Sequence, residues 1–227
     1  MQFVAFCDVL GFSSAVLNEF DATIRVYREF MDDMRKWPFP AKARVSVYSD
    51  SIVVVGNDLP AVLHTVNALC WATLRHKWLI RGGIAYGRYW EESHNGNIFV
   101  VSDALVRAVQ IEKTIQVPAV ALPDEIALGI EAWVPRFQHG IFKAPLLFYQ
   151  GHSIVNPFGQ YWFKSATINV ADLLEKHPMH KDKYEWFLAL ADAVARDELL
   201  VPEAALNEMQ SLGILVKRSD PADANAG

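Results

Sequence analysis

Between residues 43 and 56 two β-rich runs, ARVSVY and SIVVVG, are separated only by Ser49 and Asp50. So short a connection between alternating strands closes a tight antiparallel hairpin. What flanks the hairpin restricts the fold further. Residues 2–8 (QFVAFCD) read as a strand, and residues 16–36 as one helix, with Val16, Phe20, Ile24, Tyr27, Met31 and Met34 at helical spacing. The stretch WPFPAK at 37–42 ends that helix. Asn57-Asp58 opens a second helix whose inner face carries Leu59, Val62, Leu63, Val66, Leu69 and Thr73. Residues 78–86 (WLIRGGIAY) read as a strand and 98–101 (IFVV) as a shorter one. Ser102 or Asp103 caps a third helix, and 117–121 (VPAVA) returns to strand. The order is βαββαβ with more of both types after it. It predicts an α+β chain: a ferredoxin-like core with a mainly antiparallel sheet, helices on one face, and a C-terminal α/β elaboration.

The second half is read from pattern alone. Residues 145–149 (PLLFY) and 161–170 (YWFKSATINV) look β-like, and 182–196 and 202–212 look helical. The expected organisation is a core over 1–122, an extension over 123–216 packed on the same domain, and a disordered polar tail over 217–227. At 227 residues, 52% hydrophobic and 21% charged, the chain can bury a sizeable core. A net charge of −5 argues against a coat for nucleic acid or anionic membrane. Cys7 and Cys70 lie in apolar segments and suit reduced buried thiols better than a disulfide. The first residues lack a secretory pattern, and no apolar run is long enough for a membrane span. A cytoplasmic protein is therefore expected.

Two acids carry the chemistry. Asp8 ends the first strand and Asp50 sits at the hairpin tip, so the topology can bring both to one edge of the sheet. Paired hard oxygen donors suit Mg²⁺ or Mn²⁺, and two such ions can clamp an in-line phosphoryl transfer. By spacing alone, ordinary turn chemistry is the commoner reason for an Asp at either place. After Asp8 come Gly11, Phe12, Ser13 and Ser14, whose N–H groups could hold phosphate oxygens or form a plain capped turn. Arg44, Ser46, Tyr48 and Asp50 share one side of the hairpin strand, either solvated or turned to a base or sugar. Arg81, Arg107 and Lys113 are candidate phosphate-neutralising cations, or plain surface charges. Gly82-Gly83 signals a close backbone approach or a bulge. The seven histidines are dispersed; His177 and His180 could pair on a turn, which an exposed loop explains better than zinc.

These stretches resemble class III nucleotidyl cyclases. FCDVLGFSS is similar to their first metal-binding strand, YSDSIVVVG to their second metal hairpin, LIRGGIAYG to the following Arg-x-Gly-Ile strand, and SDALVRAVQIEK to the helix after it. The four run in family order across residues 3–113. Within the family, the Ser-Asp-Ser hairpin, Arg-Gly-Gly strand and Ala-Leu-Val helix start resemble the Pycsar pyrimidine cyclases of bacterial anti-phage defence. The resemblance implies a homodimer with composite sites at the interface. Asp8, Asp50 and the Val9 carbonyl would hold two Mg²⁺ or Mn²⁺ ions per site. Gly11, Phe12, Ser13, Ser14, Arg81 and Lys113 would hold the triphosphate, Arg107 would stand in as a catalytic cation, and Ser46 and Tyr48 would meet the base. UTP, or less readily CTP, would give the cyclic nucleotide and pyrophosphate, read by a separate effector. The sequence departs from the family at three places. Ser46 stands where adenylate cyclases carry a purine-reading lysine, and Val106 and Gln110 stand where they carry a transition-state Asn and Arg. A cyclase-like binding module without turnover, or another two-metal enzyme such as a phosphodiesterase, are the competing expectations.

Overall fold

The computed structural model describes residues 1–37, 40–127 and 129–215; the tail expected at 217–227 lies outside them. Strand β1 (Gln2–Val9) is central. It pairs antiparallel with β3 (Ser51–Gly56) on one side and with β4 (Ile80–Gly87) on the other. Strand β2 (Ala43–Tyr48) closes the hairpin on β3, with Tyr48 opposite Ser51. Ser49 takes a positive φ of 59° to make the turn. Helix α3 (Leu59–Arg75) starts at Asp58, whose side chain accepts the Ala61 N–H. The β2-β3-β1-β4 order is the expected ferredoxin-like arrangement, and the sheet is mostly antiparallel.

One expectation in the first half needs correcting. The segment 16–36 is two helices, α1 (Phe12–Asn18) and α2 (Phe20–Lys36), broken at Glu19. The Asn18 amide donates to both the carbonyl and the hydroxyl of Ser14, a local side-chain contact of the kind that competes with helix continuation. The 98–101 strand is β6 (Asn97–Ser102), which pairs with β5 (Tyr89–His94) in a separate ribbon. Ser102 then caps α4 (Asp103–Thr114) by accepting the Leu105 N–H.

Residues 120–155 extend the same sheet. Strand β7 (Val120–Leu122) pairs parallel to β4, then β9 (His152–Val155) and β8 (Leu146–Tyr149) complete the order β2-β3-β1-β4-β7-β9-β8. The segment read as β-like at 161–170 is instead helix α7 (Phe163–Lys176). It buries Ala166, Val170 and Leu173, a helical stripe that runs past the aromatic stretch. After short helices α5 (Asp124–Ala127) and α6 (Val134–His139), and after α7, come α8 (Lys181–Ala195) and α9 (Glu203–Ser211).

Helices cover both faces of the sheet, not one. On one face Ala5, Cys7 and Val9 of β1 join Phe30 and Met34 of α2, Val62, Val66 and Leu69 of α3, and Met209 of α9. On the other, Val4 and Val55 meet Ala104 of α4, while Ala121, Leu147 and Ile154 meet α7 and α8. The continuous apolar run at the start of β1 is what a strand covered on both faces requires. The paired glycines are close approaches. A Cβ on Gly82 would lie 2.3 Å from the Phe6 carbonyl oxygen, and one on Gly83 would lie 2.5 Å from both the Ala108 oxygen and Ile111 Cβ.

Candidate active site

Register places the two acids side by side. Asp8 stands opposite Ser51, the residue after Asp50, and the Val9 N–H donates to the Asp50 carbonyl at 3.0 Å. Ser13, in the first turn of α1, donates its hydroxyl to Asp50 Oδ2 at 3.1 Å. Burial pushes the Asp8 carboxyl above its ordinary range, and the neighbouring charge of Asp50 pushes it further; Arg81 works against both. Two acids are thus held close enough to feel each other, and one is driven toward its proton.

On the other side of β1, Arg81 stands opposite Asp8. Its Nη2 lies 3.4 Å from Asp8 Oδ2, and its Nε lies 2.7 Å from Glu112 Oε1. Glu112 is only 5% exposed, and the sequence reading gave it no role beyond helix α4. It anchors a guanidinium that reaches toward the acids, so Arg81 arrives at the site already held by two carboxylates. Tyr27 of α2 also comes close: burial, then the Asp50 charge, raise its hydroxyl pKa.

The other expected residues divide by position. Antiparallel partners share a face, so Arg44, Ser46 and Tyr48 of β2 lie on the side of the sheet that carries Asp8, Phe6 and Arg81. Arg44, however, is engaged by Glu91 of β5 at 2.6 Å. Gly11 has φ 78° and precedes a helix that begins at Phe12, so Gly11, Phe12, Ser13 and Ser14 are a tight turn into α1. Phe12 is buried in the core, which leaves its backbone alone for any ligand. Lys113 is exposed, one residue beyond Glu112 at the Arg81 end of α4. Arg107 is not brought to the acids within one chain. It donates to the Tyr86 carbonyl at 3.3 Å and pairs with Asp103 at 3.6 Å. Tyr86 stands opposite Phe3, five residues from Asp8, or about 17 Å along the strand at about 3.3 Å per residue.

The extension reaches the same end of the molecule. Leu10 packs against the core of α7 and α8, and His180 Nε2 lies 3.8 Å from the Cβ position of Gly11. Burial, then the charges of Lys183 and His177, lower the His180 pKa. The spacing of His177 and His180 was visible in the sequence; the nearness of His180 to Gly11 depends on a long-range packing that no local pattern encodes.

No group of three or more His, Cys, Asp or Glu among the described residues could cage a metal. Two carboxylates nonetheless fit Mg²⁺ or Mn²⁺, which bind through one or two protein carboxylates and fill their remaining positions with water and substrate phosphate. The raised pKa of Asp8 is the kind of electrostatic cost a divalent ion would relieve.

No family model matches the sequence, and no curated protein matches it. Solved structures that overlap it are cyclases. The adenylyl cyclase CyaB from P. aeruginosa is 14% identical over 57% of this chain and 80% of its own, with a TM-score of 0.46. The guanylyl cyclase Cya2 is 12% identical over 70% and 93%, with a TM-score of 0.45. A bacterial light-regulated adenylyl cyclase is 14% identical over 74% and 95%, with a TM-score of 0.43. At these scores the overlap carries no weight for function. Among the described residues no helix is long and apolar enough to cross a membrane.

Proposed function

We propose that the chain is a nucleotidyl cyclase acting on a pyrimidine nucleoside triphosphate, UTP before CTP, and releasing pyrophosphate. One observation carries the proposal: Asp8 and Asp50 converge at one edge of the sheet, from strand ends that the hairpin fixes in register. Asp8, Asp50 and the Val9 carbonyl would hold Mg²⁺ or Mn²⁺, two ions per site. When bound, these ions supply the positive charge that acidifies the attacking hydroxyl and stabilises the phosphate oxygens.

The protein's own groups do the rest. The 3′-oxygen bonds to the α-phosphorus, its proton passes to water, and the bond to the bridging oxygen of the β-phosphate breaks. Ser13 keeps Asp50 oriented through its hydroxyl hydrogen bond. Arg81, fixed by Glu112, balances charge beside Asp8, and Lys113 faces solvent at the same end to meet the outer phosphates. Ser46 and Tyr48 share the face of Asp8 and would read the base; a hydroxyl can donate or accept, so it suits either pyrimidine. Ser46 is too short to serve as the purine-reading lysine of adenylate cyclases. The product would act as a signal in anti-phage defence, read by a separate effector in the cytoplasm.

A second reading, a nucleotide-binding module without turnover, is favoured by the position of Arg107 at the Tyr86 end. One assay separates the two. Purified protein is incubated with Mn²⁺ and each of UTP, CTP, ATP and GTP, and cyclic product and pyrophosphate are measured. Cyclic UMP or CMP should form, and Asp8→Ala and Asp50→Ala should each fall to background with an unchanged circular dichroism spectrum. NTP binding without product, and wild type equal to Asp50→Ala, would leave the binding module standing.

A further inference from the structure

A cavity of about 660 Å³ lies against the outer face of α3. None of its walls comes from β1, α1, α4 or the β2–β3 turn, so it is separate from the acidic edge. Helix α3 is apolar on two sides. Val62, Val66 and Leu69 turn into the sheet core, whereas Leu59, Leu63 and Asn67, each one turn apart, line the cavity. A volume of this size suits a small organic molecule.

The walls narrow the chemistry. Trp37 at the end of α2 and Trp162 before α7 both line the space. Trp71 stands between them, 4.7 Å from the first ring and 6.3 Å from the second by centroid, and fixes both. Leu63 and Ala144, only 4% and 3% exposed, are buried walls, as is Gly159. One polar atom of the wall is open to a ligand. Asn67 donates its amide to the Asn156 carbonyl at 2.6 Å and the Phe158 carbonyl at 3.3 Å, so its Oδ1 is left to accept.

We infer that this cavity binds a planar heteroaromatic small molecule that carries an N–H donor. The ring system lies against Trp37 and Trp162, and the donor meets Asn67 Oδ1. The inference does not need the chain to be a cyclase.

Acridone is a suitable probe: it is planar and fluorescent, with one N–H and one carbonyl. Titration into the full chain should give saturable binding of one molecule per chain, with quenching of tryptophan emission. Leu63→Trp and Ala132→Trp fill the cavity and should each weaken binding at least tenfold. Leu63 is nearly buried and its replacement can cost folding; Ala132 is half-buried, so that variant, with a wild-type melting temperature, keeps the test open. Asp8→Ala should bind acridone as wild type does, even though it would abolish turnover. The inference fails if wild type shows no saturable binding, if Ala132→Trp binds with wild-type affinity, or if Asp8→Ala loses the probe.

Discussion

Asp8 shows how one carboxylate can cost stability and still be kept. Its folded-state pKa is raised, first by burial and then by Asp50, with Arg81 offsetting only part. The folded state therefore binds more protons than the unfolded chain between the ordinary value of 3.8 and the raised one. Stability falls as pH rises through that window, and the loss persists at neutral pH. Asp8→Asn should accordingly melt higher than wild type at pH 7 without divalent ions. The gap should close as pH falls below the ordinary carboxylate range, and adding Mn²⁺ at pH 7 should raise wild type but not the variant. Calorimetry at three pH values decides it, and a variant that melts lower at pH 7 contradicts the sign. Asp8 and Asp50 were legible in the sequence because one stands near the end of a strand and the other in a hairpin turn, each in a short, strongly patterned segment. Glu112 was not, since a buried acid on a helix looks like any surface acid until its partner Arg81 is placed.

The elements most readable from sequence are those whose signals are local. The hairpin at 43–56, the Asp58 cap of α3 and the Ser102 cap of α4 all stand where short-range chemistry puts them. The break at Glu19 was missed because it rests on Asn18 reaching back to Ser14 within an otherwise periodic run. Helix α7 was missed because Tyr161 to Val170 is rich in aromatic and β-branched residues, and its buried stripe shows only when Leu173 is included. The second helical layer went unread because a chain in which α4, α7 and α8 return to the far face must be assembled before the face is seen to be covered. Gly83 is where that layer presses hardest. Gly83→Ala forces a Cβ against the Ala108 carbonyl and Ile111, so α4 must lift from β4. Overpacking of this kind costs roughly 1–3 kcal/mol, and chemical denaturation should show a loss of that order. Because α4 carries Glu112, the same variant should also lower turnover.

In the proposed cyclase the role of Arg107 belongs to the scale of the whole molecule. Within one chain it sits beside Tyr86, five residues along the sheet from the acids; the proposed homodimer would bring it to them from a second copy. The surface near it is suited to association. Trp90, Phe99 and Val101 of the β5–β6 ribbon are 51%, 53% and 69% exposed, and Val106 on α4 is 57% exposed. Contiguous exposed apolar side chains of this kind mark an interaction surface. For the proposed homodimer, wild type should sediment as a dimer, and the paired change Phe99→Glu and Val101→Glu should sediment as a monomer and abolish turnover, with the circular dichroism spectrum unchanged. Complementation tests the composite site directly. Asp8→Ala and Arg107→Ala homodimers should each be inactive. A heterodimer of the two keeps one site with Asp8 from one chain and Arg107 from the other. After free subunit exchange half of the dimers are mixed and one of their two sites is intact, so about a quarter of wild-type turnover should return. If exchange is demonstrated by labelled subunits and no activity returns, the site is built within a single chain. If Arg107→Ala alone keeps full turnover, the cation at the transition state is another residue, and Lys113 beside Glu112 is the next to replace.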